Sequence, residues 1–135
     1  MSNTNQKDSE KLRAIAKKVL VNAGLESEEK FGSVLAILMI ISLILTSIRI
    51  LQECNKKRTQ DMTLDEKCAA YGEEIRNFSS KRGWFTRMRV KRLLKREMDR
   101  EDYEKYGLTL LESILNIGEN LTDDEVQTLV ESANV

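Results

Sequence analysis

The chain has 135 residues, with 22 Lys plus Arg against 22 Asp plus Glu, so it has the size of one small domain and no net charge. It contains no histidine, no proline and two cysteines. Ser-His-Asp and Cys-His catalysis, histidine metal sites, zinc fingers and multi-disulfide scaffolds are therefore excluded, and long uninterrupted helices are favoured. Neutrality here is the cancellation of two blocks: residues 81–96 carry eight basic groups and no acid, and residues 97–135 carry two basic and eleven acidic groups. The chain reads as modular for that reason. The modules expected are 1–27, an amino-terminal amphipathic helix; 28–58, a long hydrophobic helix; and 59–135, a charged helical domain. The expected fold class is all-α, with five or six helices and no sheet.

Within residues 9–23, Leu12, Ile15, Val19 and Ala23 recur at helical spacing, while Lys11, Arg13, Lys17 and Lys18 lie largely opposite. Asp8 or Ser9 is expected to cap the start, and Gly24 to be the left-handed residue past the end. Such a helix packs on its own protein or lies in a membrane interface. Ser27, followed by Glu28 and Glu29, is expected to cap the next helix.

Phe31–Ile48 runs for eighteen residues without a charge, and Arg49, Ile50 and Leu51 follow. Eighteen helical residues reach roughly 27 Å, close to the roughly 30 Å of bilayer hydrocarbon. Arg49 can snorkel to the headgroups, which makes 31–51 a candidate membrane span in one unbroken helix. A buried strand of this length would be rare. The run starts too late and is too long for a secretory signal, so an uncleaved anchor is expected. Lys17, Lys18 and Lys30 precede it, and Arg49, Lys56, Lys57 and Arg58 follow, a balance leaning to a cytoplasmic carboxyl terminus. Gly32, Ala36, Ser42, Thr46 and Ser47 share one half of the helical projection and form the expected helix-packing face, toward another copy or another helical protein. The bulky face, including Ile44 and Ile48, would meet membrane lipid. A rival reading buries the same helix among neighbouring subunits of a virus particle or other large soluble complex.

Thr63-Leu-Asp-Glu66 and Thr122-Asp-Asp-Glu125 are capping boxes. The first opens a helix to about Ser79 with Leu64, Cys68, Tyr71, Ile75 and Phe78 on its apolar face. The second opens the last helix, with Val126, Leu129 and Val130 inward. Between them Tyr103–Ile117 carries Tyr106, Leu110, Leu111, Ile114 and Leu115 and stops at Gly118, giving a helical hairpin at the carboxyl end.

The segment 81–96 is the candidate surface for an anionic partner. It presents Lys81, Arg82, Arg87, Arg89, Lys91, Arg92, Lys95 and Arg96, with Trp84 and Phe85 at its entrance and Val90, Leu93 and Leu94 on the narrow apolar remainder. Anionic lipid, nucleic-acid phosphates and the acidic segment that follows all suit it. Asp65-Glu66 and Asp123-Asp124-Glu125 sit at helix starts, where the dipole accounts for them. There is no calcium loop, P-loop or G-x-G-x-x-G, and Cys54 and Cys68 lack metal spacing. Cys54, beside the apolar run, is either acylated or a plain reduced thiol. No catalytic residue, metal or cofactor is expected. The expected function is a non-enzymatic, single-span membrane-anchored structural or adaptor protein that self-associates and binds partners through its charged helical tail. The alternatives are a soluble structural subunit of a large assembly and a nucleic-acid-binding module acting through 81–96.

Overall fold

The structure is a computed structural model that describes residues 2–54, 60–77 and 83–133, with side chains over 9–53, 60–77 and 87–133. Among the described residues the fold is all-α, with six α-helices and no strand. They are α1 (Ser2–Asn22), α2 (Val34–Cys54), α3 (Leu64–Arg76), α4 (Gly83–Glu97), α5 (Arg100–Leu115) and α6 (Asp123–Ala133). Short 3₁₀ turns lie at Glu29–Phe31 and Ile117–Asn120.

Local chemistry sets the boundaries. Gly24 has φ 72°, the left-handed conformation expected after α1. Around it Gly24 N–H donates to the Val21 carbonyl at 3.0 Å and Leu25 N–H to the Leu20 carbonyl at 2.8 Å, while the Leu20 and Leu25 side chains are both buried. This paired hydrogen bonding with its apolar contact stops the helix. Both capping boxes form: Glu66 N–H donates to Thr63 Oγ1 and Glu125 N–H to Thr122 Oγ1, each at 3.2 Å. The glutamates return the bond, accepting from Thr63 N–H at 3.3 Å and Thr122 N–H at 2.9 Å.

Three expected boundaries are corrected. α1 already runs from Ser2, so Asp8 and Ser9 lie inside it and are not caps. The apolar run is not one unbroken helix from Phe31 to Leu51. The chain first makes a 3₁₀ turn at Glu29–Phe31, and α2 opens at Val34 with Ser33, not Ser27, accepting the Ala36 N–H at 3.1 Å. The reason is Phe31: its ring is buried edge-on to Tyr106 with centroids 5.1 Å apart, a contact that requires the backbone to turn there. α5 begins at Arg100, ahead of Tyr103, because Asp99 accepts the Asp102 N–H at 2.9 Å. Asn55–Thr59 and Phe78–Arg82 fall outside the described residues, so the end of module 28–58, Phe78 and Ser79 do too.

The core is built around α2. Its Ile40, Leu43, Ile44, Ile48 and Leu51 are buried and form one cluster with α1 residues such as Ile15 and Val19, α4 residues such as Val90 and Leu94, and α6 residues such as Leu129. Burying five such side chains contributes on the order of 10 kcal/mol before the entropy of ordering is subtracted. Helices from all three sequence modules therefore share one core. The opposite side of α2 is uncovered near its start, where Leu35 is 80% and Val34 62% exposed. α5 and α6 follow one another across the Ile117–Asn120 turn, and α6 packs against α3, α1 and α2. That turn sits directly on the end of α3: a Cβ at Gly118 would lie 2.3 Å from the Ile75 carbonyl oxygen and 2.6 Å from the Arg76 Cα. Only a residue without a side chain lets the two backbones meet.

Two stability predictions follow from these contacts. Gly118→Ala should cost about 2–3 kcal/mol or more, because both clashing atoms are backbone and neither can swing away. Ile48→Ala should cost about 2–5 kcal/mol, and Leu35→Ala within about 0.5 kcal/mol of zero, although both lie in the same apolar helix. Urea denaturation followed by circular dichroism reads all three.

Candidate anion-binding site

The basic helix does not present one broad charged face. Packing divides it. Val90, Leu93 and Leu94 point into the core, and the cations fall on the two edges beside them. On the edge toward α5, Arg87 pairs with Glu112, and the Lys95 Nζ lies 5.5 Å from the Tyr103 ring centroid. The Glu112 hydrogen bond pushes the Arg87 guanidinium above its ordinary value. Lys91 lies between these two at helical i, i+4 spacing. On the other edge Arg89, Arg92 and Arg96 stand over a groove of ≈ 910 Å³ between α2, α3 and α4.

Each wall of this groove is a regular helical stripe. α4 supplies Arg89, Arg92, Leu93 and Arg96, at i, i+3, i+4 and i+7. α2 supplies Thr46, Arg49, Ile50 and Glu53 at the same spacing, with Gln52 beside them, and α3 adds Lys67 and Tyr71 one turn apart. Five cations from three helices thus line one space, in which Glu53 is the one carboxylate among the described lining residues; Arg96 Nε also stands 3.6 Å from Glu97 Oε1, outside the lining. Glu53 Oε2 stands 4.0 Å from Arg89 Nη2. Arg49 Nε donates to the Ala133 carbonyl at 3.1 Å, which ties the end of α6 to α2 and fixes the arginine at the groove wall. The Gln52 Nε2 amide is buried and has no hydrogen-bond partner among the described residues.

The acidic block is matched from elsewhere. Asp124 pairs with Lys11 at 2.9 Å and Glu125 with Lys18 at 2.5 Å, both cations on α1. Asp123 pairs with Arg76 of α3, and Asp102 with Lys30 of the first 3₁₀ turn. Burial pushes the Glu125 carboxyl up, but hydrogen bonds from Lys18 and the Thr122 backbone outweigh it and hold the group below its ordinary 4.5.

The expected small-residue face does not come together. Gly32 lies in the turn before α2, Ala36 and Thr46 are half-buried, Ser42 is exposed, and Ser47 is fully buried and donates to the Leu43 carbonyl at 2.8 Å. Ile44 and Ile48, expected toward lipid, are in the core. Trp84 and Phe85 fall in the first turn of α4 with side chains outside the described residues, and Lys81 and Arg82 lie outside them altogether. Among the described residues no cluster of three or more Cys, Asp or Glu is placed to hold a metal. Burial, with Glu131 and Asp65 nearby, pushes the half-buried Cys68 thiol up, so it is a poor nucleophile. Sequence reasoning missed Arg49 and Lys67 as groove residues. The i, i+3, i+7 spacing of Arg89, Arg92 and Arg96 was a visible signal, but nothing local sets α2 and α3 opposite it.

No protein-family model, curated protein or solved structure matches the chain, so the reading of this groove rests on its geometry.

The Glu125 carboxylate gives a pH-dependent prediction. Its pKa is depressed in the folded state, so its contribution is present above about pH 4.5 and is lost as the pH falls through the lowered value. Wild type should therefore be more stable than Glu125→Gln at pH 7, and the difference should shrink as the pH is lowered to 3. Parallel urea titrations at the two pH values check it.

Proposed function

We propose that this chain is a non-enzymatic helical adaptor: a soluble bundle with α2 as its internal scaffold, which binds an anionic partner in the groove between α2, α3 and α4. The observation that carries the reading is that Arg49, Lys67, Arg89, Arg92 and Arg96 line one space in which Glu53 is the one carboxylate among the described lining residues. Like charges gathered around one space repel one another, and a bound anion relieves that repulsion. The scaffold role is supported by what α2 is packed against. α1 and α6 lie on it and carry the pairs Lys11–Asp124 and Lys18–Glu125. Placing α2 across a bilayer with these neighbours attached would put the pairs in hydrocarbon, which is costly. The uncovered strip of Val34, Leu35 and Leu38 suits a contact with another subunit.

A second reading keeps α2 as a membrane anchor. One observation favours it: Val34–Glu53 is a helix long and apolar enough to cross a membrane. In that case the bundle opens and α2 leaves its core contacts.

Fractionation separates the two. The adaptor reading expects the expressed protein in the supernatant without detergent, retained on immobilised heparin at low salt despite its zero net charge. Recovery only in carbonate-resistant membranes would overturn the soluble bundle. Retention unchanged in Arg92→Gln/Arg96→Gln would overturn the groove as the binding surface.

A further inference from the structure

We infer that the occupant of this groove is a compact ligand with a chain of clustered phosphates, an oligophosphate or a nucleoside polyphosphate, and not an extended nucleic acid. The inference rests on the adaptor reading and narrows its anionic partner to one chemical class.

Shape comes first. A site that tracks a nucleic-acid backbone strings its cations along a surface for many nucleotides. Here the cations come from three helices and line one concavity, whose ≈ 910 Å³ falls at the upper end of small-molecule pockets. The edge of α4 that would lengthen the charged track is already engaged, through Arg87 with Glu112 and Lys95 with the Tyr103 ring. The chemistry is the second argument. Four of the five cations are arginines, whose planar forks take two phosphate oxygens at once, while Lys67 adds a point charge from the facing wall. Several guanidiniums around one space match several adjacent phosphates, each with its own charge, better than a lone carboxylate. The third argument is the buried Gln52 Nε2, a donor without a partner on the same wall. A buried amide left unpaired is destabilising unless an acceptor arrives, and a ligand oxygen supplies one.

Isothermal titration of the full-length protein with inorganic tripolyphosphate, and separately with ATP, tests the assignment, with a twenty-nucleotide single-stranded DNA as the third probe. Saturable one-to-one binding of tripolyphosphate or ATP is expected. It should weaken at least tenfold in Arg92→Gln/Arg96→Gln, and it should persist in Arg100→Gln/Lys105→Gln, which removes equal charge away from the groove. Circular dichroism melts of both variants confirm folding, since neither Arg92 nor Arg96 secures one helix to another. Equal affinity for the two small ligands assigns a free oligophosphate, and tighter ATP binding assigns a nucleotide; both support the inference. DNA bound more tightly than either small ligand would overturn it while leaving the adaptor reading intact. Equal losses in the two variants would show charge without a site and overturn both.

Discussion

Unequal burial around the circumference of α2 is the constraint on which the rest of the structure depends. A helix this apolar cannot stand alone in water, and one face of it, Ile40, Leu43, Ile44, Ile48 and Leu51, recruits α1, α4 and α6 from distant parts of the sequence. Hydrophobic burial supplies the attraction but little direction. Direction comes from a few polar fastenings at the edges of the contact: Arg49 Nε on the Ala133 carbonyl, and Ser113 Oγ on the Val19 carbonyl at 2.6 Å. The Gly118 approach to Ile75 adds a third, steric fastening, because it permits only one depth of insertion of the turn against α3. Together they select one arrangement among the many that would cover the same apolar area.

The same contacts decide where the charges end up. Once α1 and α6 lie side by side on α2, Lys11 and Lys18 reach Asp124 and Glu125, and the acidic end of the chain is neutralised largely without help from the basic helix. A charge count along the sequence suggests that blocks 81–96 and 97–135 should clasp each other. In the fold the clasp is narrow: Arg87 reaches Glu112 and Arg96 its neighbour Glu97, while Asp102 and Asp123 take their cations from Lys30 and Arg76. Several of these pairs are exposed and each contributes little to stability. Their effect is on distribution, for they leave the arginines on the α2 edge of α4 gathered at the groove.

The fold was readable where the signal is local. The two capping boxes and the Gly24 stop are statements about neighbours within a turn or two, and the structure has each of them; of the apolar stripe expected on α3, Tyr71 and Ile75 are buried but Leu64 is exposed, because it sits at the open first turn. What was not readable was non-local. Phe31 looks like the first residue of the apolar helix until Tyr106 is placed beside it, and only then does the 3₁₀ turn have a cause. The helical projection of α2 correctly separates small from bulky residues but cannot say which side is covered; Ser47 is buried and Ser42 exposed despite their shared half. For the site, Arg89, Arg92 and Arg96 were in view as part of a basic helix. Arg49 read as a residue bound for headgroups and Lys67 drew no reading, because their meaning depends on α2 and α3 facing α4 across the groove.

That groove is also the place where the sequence departs from its own local logic. Elsewhere carboxylates such as Asp99, Glu66 and Glu125 have a cap or a lysine to explain them, and consistency of this kind is what makes a sequence specify one fold. Around Arg49, Lys67, Arg89, Arg92 and Arg96 it is weaker: Glu53 stands by Arg89, Glu97 by Arg96 on its solvent side, the Ala133 carbonyl takes Arg49, and the buried Gln52 amide has no acceptor among the described residues. Glutamates at two of these positions would have relieved the repulsion without disturbing Val90, Leu93 or Leu94 beneath them. A fold that satisfies its polar groups in the caps and between α1 and α6, yet leaves cations crowded in one concavity, carries a cost that folding itself does not require. Binding is the physical circumstance in which that arrangement is favourable, because an anion that enters converts the repulsion into attraction shared by three helices.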